Sequence, residues 1–468
     1  MKIIKGGERM AANHAKNGKA WVNLNNDQLK TVDEFNRGYL EFLNRVKTER
    51  ETVKFIEETA LSQGFKPLEQ IETIEPGTRI LISMKNKVAA LFIAGKRPLS
   101  DGFNLVASHL DTPRIDLKAN PLYEADGLAL FKTHYYGGIK KYQWVAIPLA
   151  LCGVVYKKDG RAININIGLD EGDPVLTIAD LLPHLAKEQM EKKMAEVITG
   201  EKLTPIVGSR PGAEEENPVR EAVIQYFRDK YDIDEEDFTS AELQLVPAIP
   251  AGETGLDRSM VGGYGQDDRV SVYASLQAAL AIENPETVAL CLFVDKEEIG
   301  STGNTGLQSL LLENLVVSLM HLDGPVDYFA VRKCLANSFA LSADVNAAID
   351  PNYPEVFEKD NCSFLGNGVV LTKYTGSRGK AESNDANPEF LWRMRKLFDD
   401  HGVVWQTGEL GKVDIGGGGT VAQYIARYGM EVVDCGVAVL SMHSPFEVVS
   451  KADVYMSYKA YRAFMQVF

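Results

Sequence analysis

The chain has 468 residues, a net charge of −15 and a charged fraction of 25%. That length suggests two or three domains, and the acidic balance argues against nucleic acid or an anionic membrane as a partner. No apolar run reaches transmembrane length, Met1–Arg9 lacks the apolar centre of a signal peptide, and the five cysteines are scattered without a Cys-x-x-Cys pair, so a cytoplasmic protein without a disulfide framework is expected.

In chain order, Asp27 to Gln63 is helical in pattern, with Leu29, Val32, Phe35, Tyr39, Phe42, Val46 and Phe55 at helical spacing. Strand-like runs follow at Arg79–Ser83, Val88–Ala94 and Asn104–Ser108, the last ending at His109. From 119 to 250 the texture changes to strands such as Val154–Tyr156 and Ala162–Ile167 with Gly/Asp punctuation, and to charged helix candidates at Leu181–Val197 and Pro218–Tyr231. This stretch reads as an inserted β-rich domain between 1–118 and 251–468. Beyond it, helices at Asp267–Ile282, Leu307–Leu322, Pro388–His401, Thr420–Arg427 and Lys451–Gln466 alternate with strands at Thr287–Val294, Ser338–Ala343 and Val432–Leu440. Alternation of this kind predicts an α/β domain with a mostly parallel central sheet flanked by helices.

Metal-ligand residue types cluster at the carboxyl ends of these strands, where open α/β sheets build their sites. His109 and Asp111 follow one strand, Glu297 and Glu298 another, Asp344 a third and His443 a fourth, while Asp267 opens a helix. Two histidines with several carboxylates suit zinc, cobalt or manganese. The His109-Leu-Asp111 spacing lets the aspartate accept a hydrogen bond from the ring nitrogen that does not bind metal. Adjacent carboxylates at a strand tip repel unless a cation or proton intervenes. In a two-metal hydrolase one would bind metal and its neighbour would take a proton from the activated water. Each residue also has a plainer reading: Asp267 as a helix cap with Asp268 or Ser271 helping, Asp344 in a turn, His443 as a satisfied core histidine. The spacing recurs at His321-Leu-Asp323, where the histidine ends a helical run and reads as structural. Gly416–Gly419 precedes a helix and reads as a wall of a substrate pocket or a plain loop; it lacks the Lys-Ser/Thr of a phosphate loop.

The segments Ser108–Lys118, Gln266–Asp268, Asp295–Ser301, Ser342–Asn346, Asp350–Pro354 and Met442–Pro445 together resemble the aspartyl aminopeptidase/aminopeptidase I family of dinuclear-metal exopeptidases, over nearly the whole chain and in the family's order. The resemblance implies an aminopeptidase that releases N-terminal residues from peptides through a dinuclear zinc-activated water. His109, Asp267, Glu298, Asp344 and His443 would bind two zinc ions, replaceable by cobalt or manganese. Asp267 would bridge them, Asp111 would orient His109, and Glu297 would be the general base. It also implies a homododecamer built from dimers through the inserted 119–250 domain, which would lend His184 to a neighbouring active site to polarise the substrate carbonyl. His184 reads equally as a partly buried helix histidine. Asp350 stands where the aspartyl branch has a histidine, and Lys373-Tyr-Thr-Gly-Ser-Arg-Gly-Lys-Ala-Glu382 is nearer the aminopeptidase I branch, so neutral or broader N-terminal preference is expected over acidic. The alternatives are a related dinuclear-metal dipeptidase or amidase/deacylase, and a non-catalytic cage-forming assembly protein.

Overall fold

A computed structural model describes residues 19–468 except Asn23 and Asp323. Met1–Arg9 and the aspartate of the second His-x-Asp copy therefore lie outside the described residues. A nine-stranded sheet forms the centre. Four of its neighbouring strands, Val288–Val294, Phe103–His109, Phe339–Ser342 and Glu431–Gly436, run parallel. Antiparallel pairings at Val88–Ile93 on one side and Val369–Thr372 on the other make the sheet mixed toward its edges.

Every residue of Val288–Val294 is buried, because alternate side chains face two separate cores. Ala289, Cys291 and Phe293 pack with the helices Asn26–Arg45, Glu49–Ser62, Gln266–Leu280 and Lys451–Val467. Leu290, Leu292 and Val294 pack on the other face with Leu311–His321 and Tyr328–Ala336. The Asp27–Gln63 run is two helices, broken where Thr48 caps the second in a reciprocal box with Glu51. His321 ends its helix, exposed, as the dipole argument expects.

The 119–250 region folds around a six-stranded antiparallel sheet whose first strand, Arg114–Ala125, begins just before it. Pro218–Tyr231 is helical as expected. Leu181–Val197 is not one helix: it breaks into the short turns Pro183–Leu185, Lys187–Met190 and Met194–Val197. A helix in water is held chiefly by burying an apolar face, and here Leu181, Leu182, Leu185, Met190 and Met194 are all exposed. The Val432–Leu440 run also divides. Glu431–Gly436 stays in the central sheet, while Ala438–Leu440 joins a third sheet of five short strands. All five cysteines are buried and free. Among the described residues no helix is long and apolar enough to cross a membrane.

Asp434, on the strand Glu431–Gly436, is buried. Burial pushes its carboxyl up to about 6, with the Ser342 and Thr420 hydroxyls offsetting part of the cost. An acid whose folded pKa is raised contributes stability that is complete below its unfolded pKa and lost as pH rises through the folded value. Asp434→Asn is therefore expected to leave Tm nearly unchanged at pH 4 and to raise it at pH 7.5. The gain corresponds to at most about 3 kcal/mol, at about 1.4 kcal/mol per pKa unit. Thermal unfolding at the two pH values measures it; an equal effect at both would refute the assignment.

Candidate active site

The parallel strands bring His109, Glu297, Glu298 and Asp344 to one edge of the central sheet, and the third sheet supplies the rest. Asp267 lies just past the strand Met260–Gly263, and His443 sits in the turn between Ala438–Leu440 and Glu447–Ser450. Gln266–Leu280 is helical, but Asp267 and Asp268 have non-helical backbone angles and Gly265 is the residue before the helix. Asp267 is thus not a helix cap, which frees its carboxylate to project into the site. Its Oδ1 lies 3.1 Å from His109 Nε2 and its Oδ2 3.1 Å from His443 Nε2. His443 Nε2 is also 3.5 Å from Glu298 Oε1, and His109 Nε2 is 3.9 Å from Asp344 Oδ1. Ligand atoms of His109, Asp267 and Glu298 fall within 4.8 Å of one another, as do those of His109, Asp268 and Asp344.

These residues fit two metal ions. Asp267 Oδ1, Asp268 Oδ1 and Glu298 Oε1 are buried without a hydrogen-bond partner, an arrangement that costs several kcal/mol per charge unless a cation compensates it. Imidazole nitrogens with carboxylate oxygens are a zinc donor set. Glu297 belongs to neither ligand group but lines the same cleft, a cavity of about 450 Å³. Burial pushes Glu297 up to about 7 and also raises Glu298 and Asp344 well above their ordinary values. Burial opposes charge on His443, yet the Glu298 and Asp267 carboxylates outweigh it and lift the imidazole to about 11. Such mutual crowding of acids around two histidines is the electrostatics of a cation site.

The family model for "Aminopeptidase I zinc metalloprotease (M18)" matches residues 42–465. The chain belongs to the M18 family of aminopeptidases. A probable M18 family aminopeptidase 1 from Clostridium acetobutylicum is 49% identical over 95% of this chain and 97% of its own length. The crystal structure of an M18 aminopeptidase from Thermotoga maritima superposes with a TM-score of 0.93 at 44% identity, covering 96% of this chain and 99% of that one. The S. cerevisiae mApe1 dodecamer shares the fold, with a TM-score of 0.74 at 22% identity over 93% of this chain and 96% of that one. This M18 protein is a metal-dependent hydrolase that releases N-terminal residues from peptides, with zinc as its family cofactor. The amidase, dipeptidase and assembly-protein alternatives are not favoured.

Asp111 orients His109 differently from the sequence expectation. His109 Nδ1 lies 2.9 Å from the Asp111 main-chain carbonyl and 3.5 Å from the carboxylate. The carboxylate instead accepts hydrogen bonds from the backbone N–H of Glu297 and of Glu298, each at 3.1 Å, and from the Tyr136 hydroxyl at 2.8 Å. It therefore sets the turn that presents both glutamates. His443 Nδ1 is fixed by the Gly138 carbonyl at 2.9 Å, which aims Nε2 at Asp267 and Glu298. Tyr136 and Gly138 come from the end of the strand Leu128–Tyr136 in the second sheet.

Sequence reasoning missed four supports. Asp268 was read only as a capping aid, yet it stands within the second ligand group and its Oδ2 accepts the His109 N–H at 3.3 Å. Glu447 accepts the N–H of His443 at 2.7 Å and of Gln266 at 2.6 Å, bracing both sides of the site. Tyr136 and Gly138 complete the set. The local signals were the Asp267-Asp268 pair and the four-residue spacing of His443 and Glu447; the remaining contacts act across 25 to 305 residues of sequence. Tyr136→Phe is expected to lower kcat/KM and metal affinity by about tenfold, the usual size of a lost orienting hydrogen bond at a metal site. Metal titration with kinetics measures both, and unchanged values would refute the role.

His184 is not part of this cleft. It lies exposed on the short turn Pro183–Leu185, so it is neither buried nor within a long helix. Gly417–Gly419 and Thr420 do line the cleft. A β-carbon at Gly416 would sit 1.9 Å from the Leu410 carbonyl, so only glycine lets this wall close up. The helix after it is five residues, Ala422–Ala426, shorter than the expected Thr420–Arg427 and too short to present much of a dipole.

Proposed function

We propose that Asp267 bridges two divalent ions, that His109 and Asp344 hold one with Asp268 beside them, and that Glu298 and His443 hold the other. The observation that carries this reading is the Asp267 carboxylate, which offers one oxygen at 3.1 Å from each histidine Nε2. Bound there, zinc ions would lower the pKa of a water toward neutrality and polarise the scissile carbonyl. Glu297, outside both ligand groups, takes the proton of the attacking water and returns it to the leaving amine. The free α-amino group rests against the Glu298 and His443 side, which restricts cleavage to N-termini. Metal analysis with a panel of aminoacyl anilides tests the reading. Two ions per chain, activity on free N-termini and none on N-acylated peptides are expected; one ion per chain would overturn it.

The assembly is read from the same chain. Residues 119–250 act as a dimerisation domain inserted in a catalytic domain of 1–118 and 251–468, and dimers build a cytoplasmic homododecamer. The exposed apolar side chains from Leu181 to Met194 support this, since such patches mark interaction surfaces. The S. cerevisiae relative is a dodecamer. His184 is exposed within that patch, and in the assembled protein it would polarise the substrate carbonyl of a neighbouring subunit. Light scattering that gives a monomer, or His184→Ala with full kcat, would overturn the respective parts.

A further inference from the structure

The cleft contains a fifth glutamate or aspartate that the metal site and the proton transfer do not use. Glu382 lines it together with Thr375, Leu410 and the glycine wall. The segment before it folds back tightly, with Ser377 bridged to Ala381 and a β-carbon at Gly376 excluded by the Ala381 carbonyl at 2.2 Å. A β-carbon at Gly419 would meet the Glu382 carbonyl at 3.4 Å, so the main chain at Glu382 runs beside the wall while the residue itself is exposed.

No lysine or arginine lines the cleft among the described residues. The two lysines of the neighbouring segment are engaged elsewhere. Lys373 and Lys380 stand 3.7 Å and 2.8 Å from Asp385, and Lys380 Nζ also lies 3.9 Å over the Tyr374 ring. Charge accounting then decides the character of the pocket. Two divalent ions bring four positive charges, and the carboxylates of Asp267, Asp268, Glu298 and Asp344 bring four negative ones. Beyond that balance the cleft lining holds two more carboxylates, Glu297, which the proton transfer uses, and Glu382 beside the glycine wall.

We infer that Glu382 is a specificity residue that selects peptides with a basic N-terminal side chain, lysine or arginine, and rejects acidic ones. This rests on the aminopeptidase reading of the cleft. Leu410 and Met442 line the same cleft and offer apolar surface for the alkyl stem, while the carboxylate pairs with the ammonium or guanidinium. An acidic side chain meets only like charge there.

The test is kcat/KM for Arg, Lys, Leu and Glu 4-nitroanilides on the metal-loaded enzyme, with inhibition by free arginine, leucine and glutamate as a readout independent of turnover. The wild type is expected to favour Arg and Lys over Glu by at least about 100-fold, and to bind arginine more tightly than glutamate. Glu382→Gln should lower the Arg-to-Leu ratio about tenfold, the scale of one charge-assisted hydrogen bond. Glu382→Lys should reverse the order of Arg and Glu. A wild type that prefers Glu overturns the inference. So does a Glu382→Gln variant that slows every substrate alike, which would make Glu382 an anchor for the α-amino group. Hydrolysis of none of the four anilides would instead overturn the aminopeptidase reading beneath it.

Discussion

Glu297→Gln is expected to lower kcat by about 10²- to 10⁴-fold, the range attributed to a positioned proton-transfer group, while the metal content stays near that of the wild type. The two parts of this result are separable because Glu297 and its neighbour differ in placement. Glu298 stands 3.5 Å from His443 and belongs to a ligand group, whereas Glu297 belongs to none. Glutamine keeps the size of the side chain and the backbone N–H that reaches Asp111 at 3.1 Å. It loses only the capacity to accept a proton. Kinetics with metal analysis on the same preparation reads both. Wild-type-like turnover would remove Glu297 from the mechanism, and loss of metal with activity would make it a ligand.

Chelation is expected to abolish activity and to lower Tm by several degrees, with both restored by added zinc. A ligand at about 1,000 times its Kd stabilises the folded chain by about 4 kcal/mol, and this site has carboxylates whose buried oxygens lack other partners. Asp267→Ala removes the oxygens facing both histidines, so the variant should begin near the Tm of the chelated wild type and respond little to chelator. Scanning fluorimetry measures the four states. A chelator-induced shift of full size in Asp267→Ala would show that Asp267 does not bridge.

The clustering of the candidate site residues was legible in the sequence for a physical reason. His109, Glu297, Glu298 and Asp344 follow strands whose apolar runs are unambiguous, and parallel strands end on the same side. Their supports were not legible. Glu447 holds the N–H of Gln266 across 181 residues, and Gly138 holds His443 across 305. No local pattern encodes a contact that only the closed fold creates. The third sheet was hidden for a different reason: strands such as Asn346–Ala347 and Ala438–Leu440 are too short to show a period. The Leu181–Val197 expectation failed because a charged helix candidate still needs an apolar face to bury, and Leu181, Leu182, Leu185, Met190 and Met194 are exposed in this chain.

The hydrogen bonds from Tyr136 to Asp111 and from His443 to Gly138 set a limit on how far the chain can be trimmed. Replacing 119–250 with a short turn would leave every proposed ligand and Glu297 in the sequence. It would also release the His443 ring to rotate and take the hydroxyl from Asp111. What looks from the sequence like a detachable insertion is, at its innermost strand end, a wall of the reaction chamber, and a minimal peptidase drawn from the ligand list alone would be wrongly assembled.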